Sequence, residues 1–241
     1  SEVTSYRPRM GCEDTWFTEA LLIEEALLAG EPLVGINLDF AKAFDHLPHS
    51  ILFGLAEKMG LCPRVLSGLK AIYGQLRRQF KVGGLVGSSF ASSNGILQGC
   101  PLSVLLLNMY IETWCRTIKA TVPEARPRGY ADDIGATAPS VQCIRVVLQC
   151  TDEYAEASDM KISVSKSGAW ATQPRLRLAL GSLQVRGTAL PVVCKDRVLG
   201  AQAVVQQETR KVPCRQRAQL LLENVRAHWR FGCPWKRGHC L

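Results

Sequence analysis

Apolar residues recur at helical spacing in several stretches of the chain. The first stretch, residues 13–29, has acidic residues at its beginning, which suit a helix N-terminus, and it ends at Gly30 and Pro32. Pro101 suits the first turn of a later helix, because proline lacks the N–H that this position leaves unbonded. The spacing predicts helices over residues 13–29, 50–59, 63–73, 101–120 and 141–157.

The stretches between these helices contain candidate strands. Residues 33–40 are rich in strand-forming residues and carry Asp39 near their end. Residues 77–82 and 84–90 are expected to form two strands that meet at a tight turn around Gly83. We further expect a loop over residues 123–129, two short strands around an Asp-Asp turn over residues 130–137, and a strand-like segment over residues 161–171. Strands mixed with helices, without strict alternation, predict the α+β class with an antiparallel sheet backed by helices.

The composition is that of a globular protein. Of the 241 residues, 47% are hydrophobic and 21% are charged, which excludes a disordered chain. The length suffices for one large domain or two small ones. No run of about 18 apolar residues occurs, so we expect no membrane span. Lysine and arginine number 29 against 21 aspartates and glutamates, and the net charge of +8 favours a polyanionic partner.

The ten cysteines are scattered along the chain without a C-x-x-C pair. Most lie in apolar contexts, where a free cysteine acts as a small hydrophobic residue. We therefore predict a reducing, intracellular compartment, nuclear or cytoplasmic. No secretory signal pattern follows Ser1. Because the first residue is not methionine, we expect a processed chain or part of a longer protein.

The adjacent acids Asp132 and Asp133 are the first candidates for chemistry. An isolated Asp-Asp pair is usually a solvated turn, because aspartate favours turns and water. Here Tyr130 and Ile134 indicate a strand that lies against a core. Carboxylates crowded in such a place repel one another and need a cation, and Asp39 completes a three-carboxylate cluster if the two strands are neighbours. Hard oxygen ligands suit Mg²⁺ that shares substrate phosphates, which predicts Mg²⁺-dependent phosphoryl chemistry.

Three motifs, in this order, carry a resemblance to a known family. They are LDFAKAFD at residues 38–45, QGCPLS at residues 98–103 and YADD at residues 130–133. Together they resemble the palm motifs of reverse transcriptases, of the type found in non-long-terminal-repeat retrotransposons. Residues 6–14, 160–167 and 198–200 resemble further segments of this family. The resemblance implies an RNA-directed DNA polymerase with a palm, partial fingers and a short thumb-like C-terminal segment.

The resemblance also implies roles for individual residues. Asp39 and Asp132 match the two metal-binding aspartates, Asp133 is the adjacent acid, and the backbone of Phe40 faces a metal. The implied cofactors are two Mg²⁺ ions, with Mn²⁺ as an alternative. Phe44 matches the bulky residue beneath the sugar of the incoming nucleotide, where its ring excludes a 2′-hydroxyl group. The remaining residues implied in nucleotide binding are Ala43, Gln98, Gly99 and Lys166, of which the lysine neutralises or protonates pyrophosphate.

The implied partners are an RNA template, a DNA primer and deoxynucleoside triphosphates. Residues 174–241 hold 13 basic and 3 acidic side chains, whereas residues 1–173 hold 16 and 18, so the positive charge is concentrated in the C-terminal part. A basic helix there suits a nucleic-acid backbone, and the alternative is an ordinary solvated face. The candidate nucleic-acid contacts are Arg7, Arg9, Tyr130, Arg210, Arg215 and Arg217. A zinc site at Cys214, His228, Cys233, His239 and Cys240 is disfavoured by the absence of paired finger spacing.

We divide the chain into three parts on this basis. Residues 1–32 are a fingers remnant and the helix that leads into the palm. Residues 33–203 are the palm, with a fingers-side insertion at about residues 60–95, and residues 204–241 are a basic thumb-like or tail segment. The sequence before Tyr6 is too short for the two basic fingers motifs of complete reverse transcriptases, so we expect the chain to be partial.

Other interpretations stay open on the sequence. The chain could be a fragment that binds RNA without catalysis, or a relic that folds poorly. A metal-dependent phosphohydrolase also needs clustered carboxylates, but it would not explain the segment around Gln98 and Gly99. Without the motif, Phe44 would be a core aromatic residue and Lys166 a solvated lysine.

Overall fold

The computed structural model describes residues 2–5, 10–193, 195–198 and 201–204, the last two ranges by their backbone. These residues belong to one compact unit, Ser1–Gln206. The tail, with its Cys/His set, lies outside the described residues apart from residue 204, so the three-part division of the chain stays a prediction. The candidate nucleic-acid contacts that lie outside the described residues are Arg7, Arg9, Arg210, Arg215 and Arg217.

The helices follow the apolar periodicity closely. The described α-helices are α1 (Cys12–Ala29), α2 (Ala43–His46), α3 (His49–Lys58), α4 (Pro63–Gln75), α5 (Pro101–Thr121), α6 (Val141–Ala157) and α7 (Pro174–Leu180). The five predicted helices are confirmed as α1, α3, α4, α5 and α6, each within two residues at its ends. Gly30 ends α1 in the left-handed conformation at φ +69°, and Ser140 caps α6 by accepting a hydrogen bond from Cys143 N at 3.1 Å. No helix in the described part is both long and apolar enough to cross a membrane.

The strands form one central sheet and several small hairpins. They are β1 (Val34–Asp39), β2 (Arg77–Arg78), β3 (Lys81–Val82), β4 (Leu85–Val86), β5 (Phe90–Ala91), β6 (Arg126–Tyr130), β7 (Asp133–Ala138), β8 (Gly168–Ala171), β9 (Gln184–Val185), β10 (Thr188–Ala189), β11 (Lys195–Val198) and β12 (Ala201–Val204). The central sheet has the order β6-β7-β1-β8, and every neighbouring pair is antiparallel. Helices and an antiparallel sheet confirm the predicted α+β class.

Alternate residues of β1 point to opposite faces of the sheet. Val34, Ile36 and Leu38 are buried in the main hydrophobic core, which also contains Tyr110 and Trp114 of α5. Helices α5 and α6 therefore cover this face of the sheet. The burial of these apolar side chains is the main force that holds the central strand in place.

The opposite face of β1 carries Gly35, over which the indole ring of Trp170 lies. Trp170 is fully buried and packs with Ile23 of α1, so α1 covers this second face. An ideal Cβ atom on Gly35 would lie 2.3 Å from Cε2 and Cζ2 of the indole. Glycine is required here because no larger residue fits between the strand and the ring.

The substitution Gly35→Ala is expected to lower the free energy of unfolding by about 1–3 kcal/mol, because the added methyl group overpacks a buried ring. Urea denaturation of both proteins measures the difference. Gly54→Ala in α3 is the matched control, since its Cβ atom would meet nothing within 4 Å and alanine favours the helix. An equal loss of stability in both variants would contradict this account of packing.

The expected loop at residues 123–129 is correct only for residues 123–125, because β6 begins at Arg126 and runs through Pro127. Gly129 N donates to the carbonyl of Glu2 on the outer side of this edge strand. Residue 127 has the same backbone orientation as Gly129, so the N–H that proline lacks would have pointed to the outer edge and not to β7. A proline at an edge position is therefore compatible with the strand.

Two other strand predictions are only partly correct. In residues 161–171 only Gly168–Ala171 is a strand, and Val164–Lys166 forms a 3-10 turn. Residues 77–91 contain four two-residue strands, with β2 paired to β5 and β3 paired to β4. The predicted tight turn is confirmed, since Gly83 and Gly84 connect β3 and β4 at φ +56° and +85°.

Candidate active site

Two of the predicted acids lie opposite each other on neighbouring strands. In the β1–β7 register Asp39 is the direct partner of Asp133, so their side chains leave the same face of the sheet. Asp132 precedes Asp133 in the turn between β6 and β7, next to Ala131, whose φ is +53°. Like charges opposite each other destabilise a sheet, so this arrangement favours a cation at the strand ends.

The surroundings of Asp39 determine the pKa of its carboxyl group. Its Oδ2 atom is buried and accepts no hydrogen bond from the described residues, while Lys166 Nζ lies 3.6 Å away. Burial raises the pKa of the Asp39 carboxyl. The Lys166 ammonium opposes this rise and the charge of Asp132 adds to it, so that the pKa is raised overall. The structure thus brings Asp39, Asp132 and Lys166 into one electrostatic cluster. The Lys166 side chain is 70% exposed, so its ammonium is accessible to a ligand.

Hydrogen bonds to the backbone of Asp39 bring the turn that carries Lys166 to the end of β1. Ser163 N donates to Asp39 O at 2.8 Å, and Asp39 N donates to Ser167 Oγ at 3.2 Å. Ser167 Oγ in turn donates to Ser163 O at 2.8 Å, which closes the 3-10 turn that carries the lysine. These two serines are supporting residues that the sequence reasoning missed, although serine at turn positions is a signal for such local bonds.

Apart from Lys166, the predicted nucleotide-binding residues fall into two groups. Phe44, Gln98 and Gly99 line one cleft of about 790 Å³ at the N-terminus of α5. Phe40 and Ala43 are buried side chains, so only their backbone is available to a ligand. The other residues that line this cleft are Cys100, Pro101, Val104, Leu105 and Asn108.

The loop that carries Gln98 is held by a network that sequence reasoning did not find. His49 Nε2 is 2.7 Å from Gly95 O, and Arg78 Nη2 donates to the same carbonyl at 3.1 Å. Ile96 N donates to Phe44 O at 2.6 Å, which ties this loop to the segment after β1. The contacts join residues distant in sequence, so no local pattern could have indicated them.

The residues present fit a hard divalent cation. In the part of the chain that the structure describes, no group of three or more His, Cys, Asp or Glu side chains is arranged to hold a metal by itself. Mg²⁺ is usually bound by one or two carboxylates together with substrate phosphates. The buried Oδ2 atom of Asp39 accepts no hydrogen bond from the described residues, and its neighbour Lys166 is 3.6 Å away on an exposed side chain. Asp39 and Asp132 are the residues that would hold it, with Asp133 beside them.

Solved structures show which fold this chain shares. A telomerase from Candida albicans, in complex with a fragment of telomeric RNA, matches with a TM-score of 0.55 and 11% identity; the match covers 83% of this chain and 33% of the telomerase. A Candida tropicalis telomerase in a similar complex matches with a TM-score of 0.55 and 12% identity, over 94% of this chain and 38% of that one. The shared fold is the polymerase palm, as the motifs predicted.

The family model described as reverse transcriptase (RNA-dependent DNA polymerase) matches residues 2–199, and the chain belongs to this family. It is 29% identical over 166 residues to an uncharacterised 149 kDa protein of transposon TX1 from Xenopus laevis. It is 22% identical over 167 residues to the Pol polyprotein of the type-2 retrotransposable element R2DM from Drosophila melanogaster. These matches cover 64% and 67% of this chain, which spans only 13% and 16% of the relatives' length. The predicted resemblance to reverse transcriptases of the retrotransposon type is confirmed.

Proposed function

We propose that this chain is the catalytic palm of a retroelement reverse transcriptase, which adds deoxynucleotides to a primer 3′-hydroxyl under the direction of an RNA template. The observation that carries the proposal is the pairing of Asp39 with Asp133, beside Asp132, at the end of the strand that leads to Phe44. Residues 39–44 thus connect the carboxylates to the cleft formed by Phe44, Gln98 and Gly99. An acidic metal site and a nucleotide cleft are the two parts that nucleotidyl transfer needs.

Each residue has a distinct task in this proposal. Asp39 and Asp132 would hold two Mg²⁺ ions, with Mn²⁺ as an alternative, and the bound ions would supply activation of the attacking hydroxyl and neutralisation of the leaving pyrophosphate. Lys166, whose ammonium is accessible beside Asp39, places a positive charge or a proton at the pyrophosphate. Phe44 excludes a 2′-hydroxyl group, and Gly99, at φ +86°, lets the backbone approach the nucleotide.

The charge distribution supports a nucleic-acid partner for the fingers-side segment. This segment, residues 60–95, contains no acidic residue and five basic ones. In the same segment Phe80 and Phe90 stack with their ring centroids 5.2 Å apart, and Phe80 is 71% exposed. Positive charge combined with exposed aromatic rings suits a single strand, whose bases stack and whose phosphates pair with cations. The telomerases with a similar fold are complexed with RNA, in keeping with an RNA template here.

The full chain with an RNA template, an annealed DNA primer, deoxynucleotides and Mg²⁺ is expected to extend the primer, and chelation by EDTA is expected to abolish extension. Removal of the cation leaves the carboxylates at Asp39, Asp132 and Asp133 uncompensated, so Mg²⁺ should also raise the melting temperature. Gel analysis of the primer and thermal melting with and without Mg²⁺ measure the two effects.

The same assay separates polymerase activity from binding alone. A chain that shifts the template-primer duplex in a gel but never lengthens the primer would contradict the proposal and favour a binding fragment. Release of inorganic phosphate or mononucleotides without extension would indicate a phosphohydrolase. A deoxyribonucleoside triphosphate that lacks a 3′-hydroxyl is the control, because it should permit a single addition and then stop.

A further inference from the structure

A largely buried arginine crosses the sheet next to the carboxylates. Arg128 belongs to β6, and its guanidinium passes over Gly135 of β7 to donate a hydrogen bond to Asn37 Oδ1 of β1. An ideal Cβ atom on Gly135 would lie 2.7 Å from Arg128 Nη2, so the absence of a side chain at Gly135 provides the passage. One side chain thereby connects three strands of the sheet.

The same guanidinium also binds the helix that covers this face. Arg128 Nε lies 2.6 Å from Glu19 Oε2 of α1. Only 14% of the arginine side chain and 2% of the glutamate side chain are exposed. Arginine suits this place because its planar group presents several donors in fixed directions, so that one residue holds two partners at once. We call the set Glu19, Arg128 and Asn37 the arginine clamp.

The register places the arginine clamp next to the acids. Arg128, Gly135 and Asn37 lie opposite one another in the sheet. Two positions nearer the β6–β7 turn, Tyr130, Asp133 and Asp39 lie opposite one another in the same way and on the same face. Two residues of a strand span about 6.6 Å, so the clamp supports the carboxylates from the adjacent position on all three strands.

A buried ion pair is poor evidence for stability, because desolvation of both charges offsets their attraction. The ion pair matters more for geometry. A fixed guanidinium holds the register between β1 and the β6–β7 hairpin, and it thereby sets the separation of Asp39 from Asp132 and Asp133. On the basis of the proposed function, we propose that Glu19 and Arg128 are positioning residues that hold the metal-binding carboxylates in register and couple them to α1.

The decisive variant replaces both charges at once. In E19M/R128M neither partner leaves an unpaired buried charge, so the protein is expected to retain cooperative unfolding. With the clamp absent, amides of residues 131–135 should exchange hydrogen faster than in the wild type. The dissociation constant for Mn²⁺, measured by electron paramagnetic resonance as a probe of the carboxylates, should rise about 10- to 100-fold. Primer extension should lose kcat by a similar factor, with little change in KM for the deoxynucleotide.

A conservative variant and a matched control complete the experiment. R128K preserves a charge for Glu19 but offers a single ammonium, which cannot also reach Asn37, so it should show the same changes to a smaller extent. T151V is the matched control, because it removes the buried hydrogen bond from Trp114 Nε1 at 3.0 Å, in the core on the other face of the sheet. It should lower the melting temperature without weakening Mn²⁺ binding.

The outcomes distinguish this proposal from the proposed function. Wild-type exchange rates and Mn²⁺ affinity in both E19M/R128M and R128K would overturn the positioning role. A wild-type chain that never extends a primer, but whose exchange rates and Mn²⁺ affinity respond to these variants, would overturn the polymerase proposal and leave the arginine clamp in place.

Discussion

Replacement of Asp39 or Asp132 by asparagine is expected to reduce primer extension by about 1,000-fold or more, a loss of roughly 4 kcal/mol in transition-state stabilisation. Asparagine preserves the shape of the side chain but removes the negative charge that holds the cation. Single-nucleotide incorporation, measured at saturating template and primer, gives the ratio of rates. Asp152→Asn is the control, because Asp152 pairs with Arg186 at 2.8 Å on an exposed part of the surface.

The loss of activity in Asp39→Asn should come without a loss of stability. The pKa of Asp39 is raised in the folded protein, chiefly by burial, so folding favours its protonated form. The ordinary pKa of aspartate is about 3.8. As the pH rises from this value through the raised pKa of the folded state, the wild type loses stability that the variant keeps. In metal-free buffer Asp39→Asn should therefore be at least as stable as the wild type at pH 7.

Urea denaturation at pH 4 and pH 7 tests the sign of this effect. The free energy of unfolding of Asp39→Asn minus that of the wild type should be larger at pH 7 than at pH 4. A folded Asp39→Asn or Asp132→Asn protein that extends primers at the wild-type rate would remove these residues from the proposed site.

Substitution of Phe44 by alanine is expected to admit ribonucleotides. The half-buried side chain of Phe44 lines the cleft together with Gln98 and Gly99, and truncation opens space where the proposal places the sugar. The preference for deoxynucleotides over ribonucleotides, given by the ratio of kcat/KM values, should fall on the order of 100-fold, about 2.7 kcal/mol. Incorporation of each nucleotide opposite the same template base measures this ratio.

Leu105→Ala is the matched control for the Phe44 prediction. Leu105 also lines the cleft, so its truncation enlarges the same space from the side of α5 without removing the aromatic ring. It should alter nucleotide affinity modestly and leave the preference for deoxynucleotides unchanged. An unchanged preference in Phe44→Ala, with the protein folded and active, would assign Phe44 to the core instead of to sugar selection.

Several features of the fold could be predicted because they depend on neighbours in sequence. Helices α5 and α6 bury one face each, so the spacing of their apolar residues indicates both their extent and their inner side. The Gly83–Gly84 turn follows from the positive φ angles that glycine permits. The acids Asp39, Asp132 and Asp133 could be proposed as candidates, because carboxylates crowded near a predicted core repel one another unless a cation is present.

Other features depend on partners far away in sequence. The edge strand β6 contains Pro127, which local rules assign to a loop, and it forms because β7 pairs with one side and residues 2–4 with the other. The region around Lys166 is a 3-10 turn and not a strand, since Ser163 and Ser167 bond to the end of β1. In both cases the tertiary hydrogen bonds override local propensity.

The sequence by itself determined the class of fold and the helices, because apolar periodicity is a property of a single segment. It also singled out Asp39, Asp132 and Asp133 as candidates, whose role stays a prediction. Only the tertiary structure decided that Asp39 faces Asp133, that Phe44 shares a cleft with Gln98, and that Arg128 joins Glu19 to Asn37. Strand order and register set which side chains meet, and they are decided by the burial of complementary faces, which no single segment of the sequence contains.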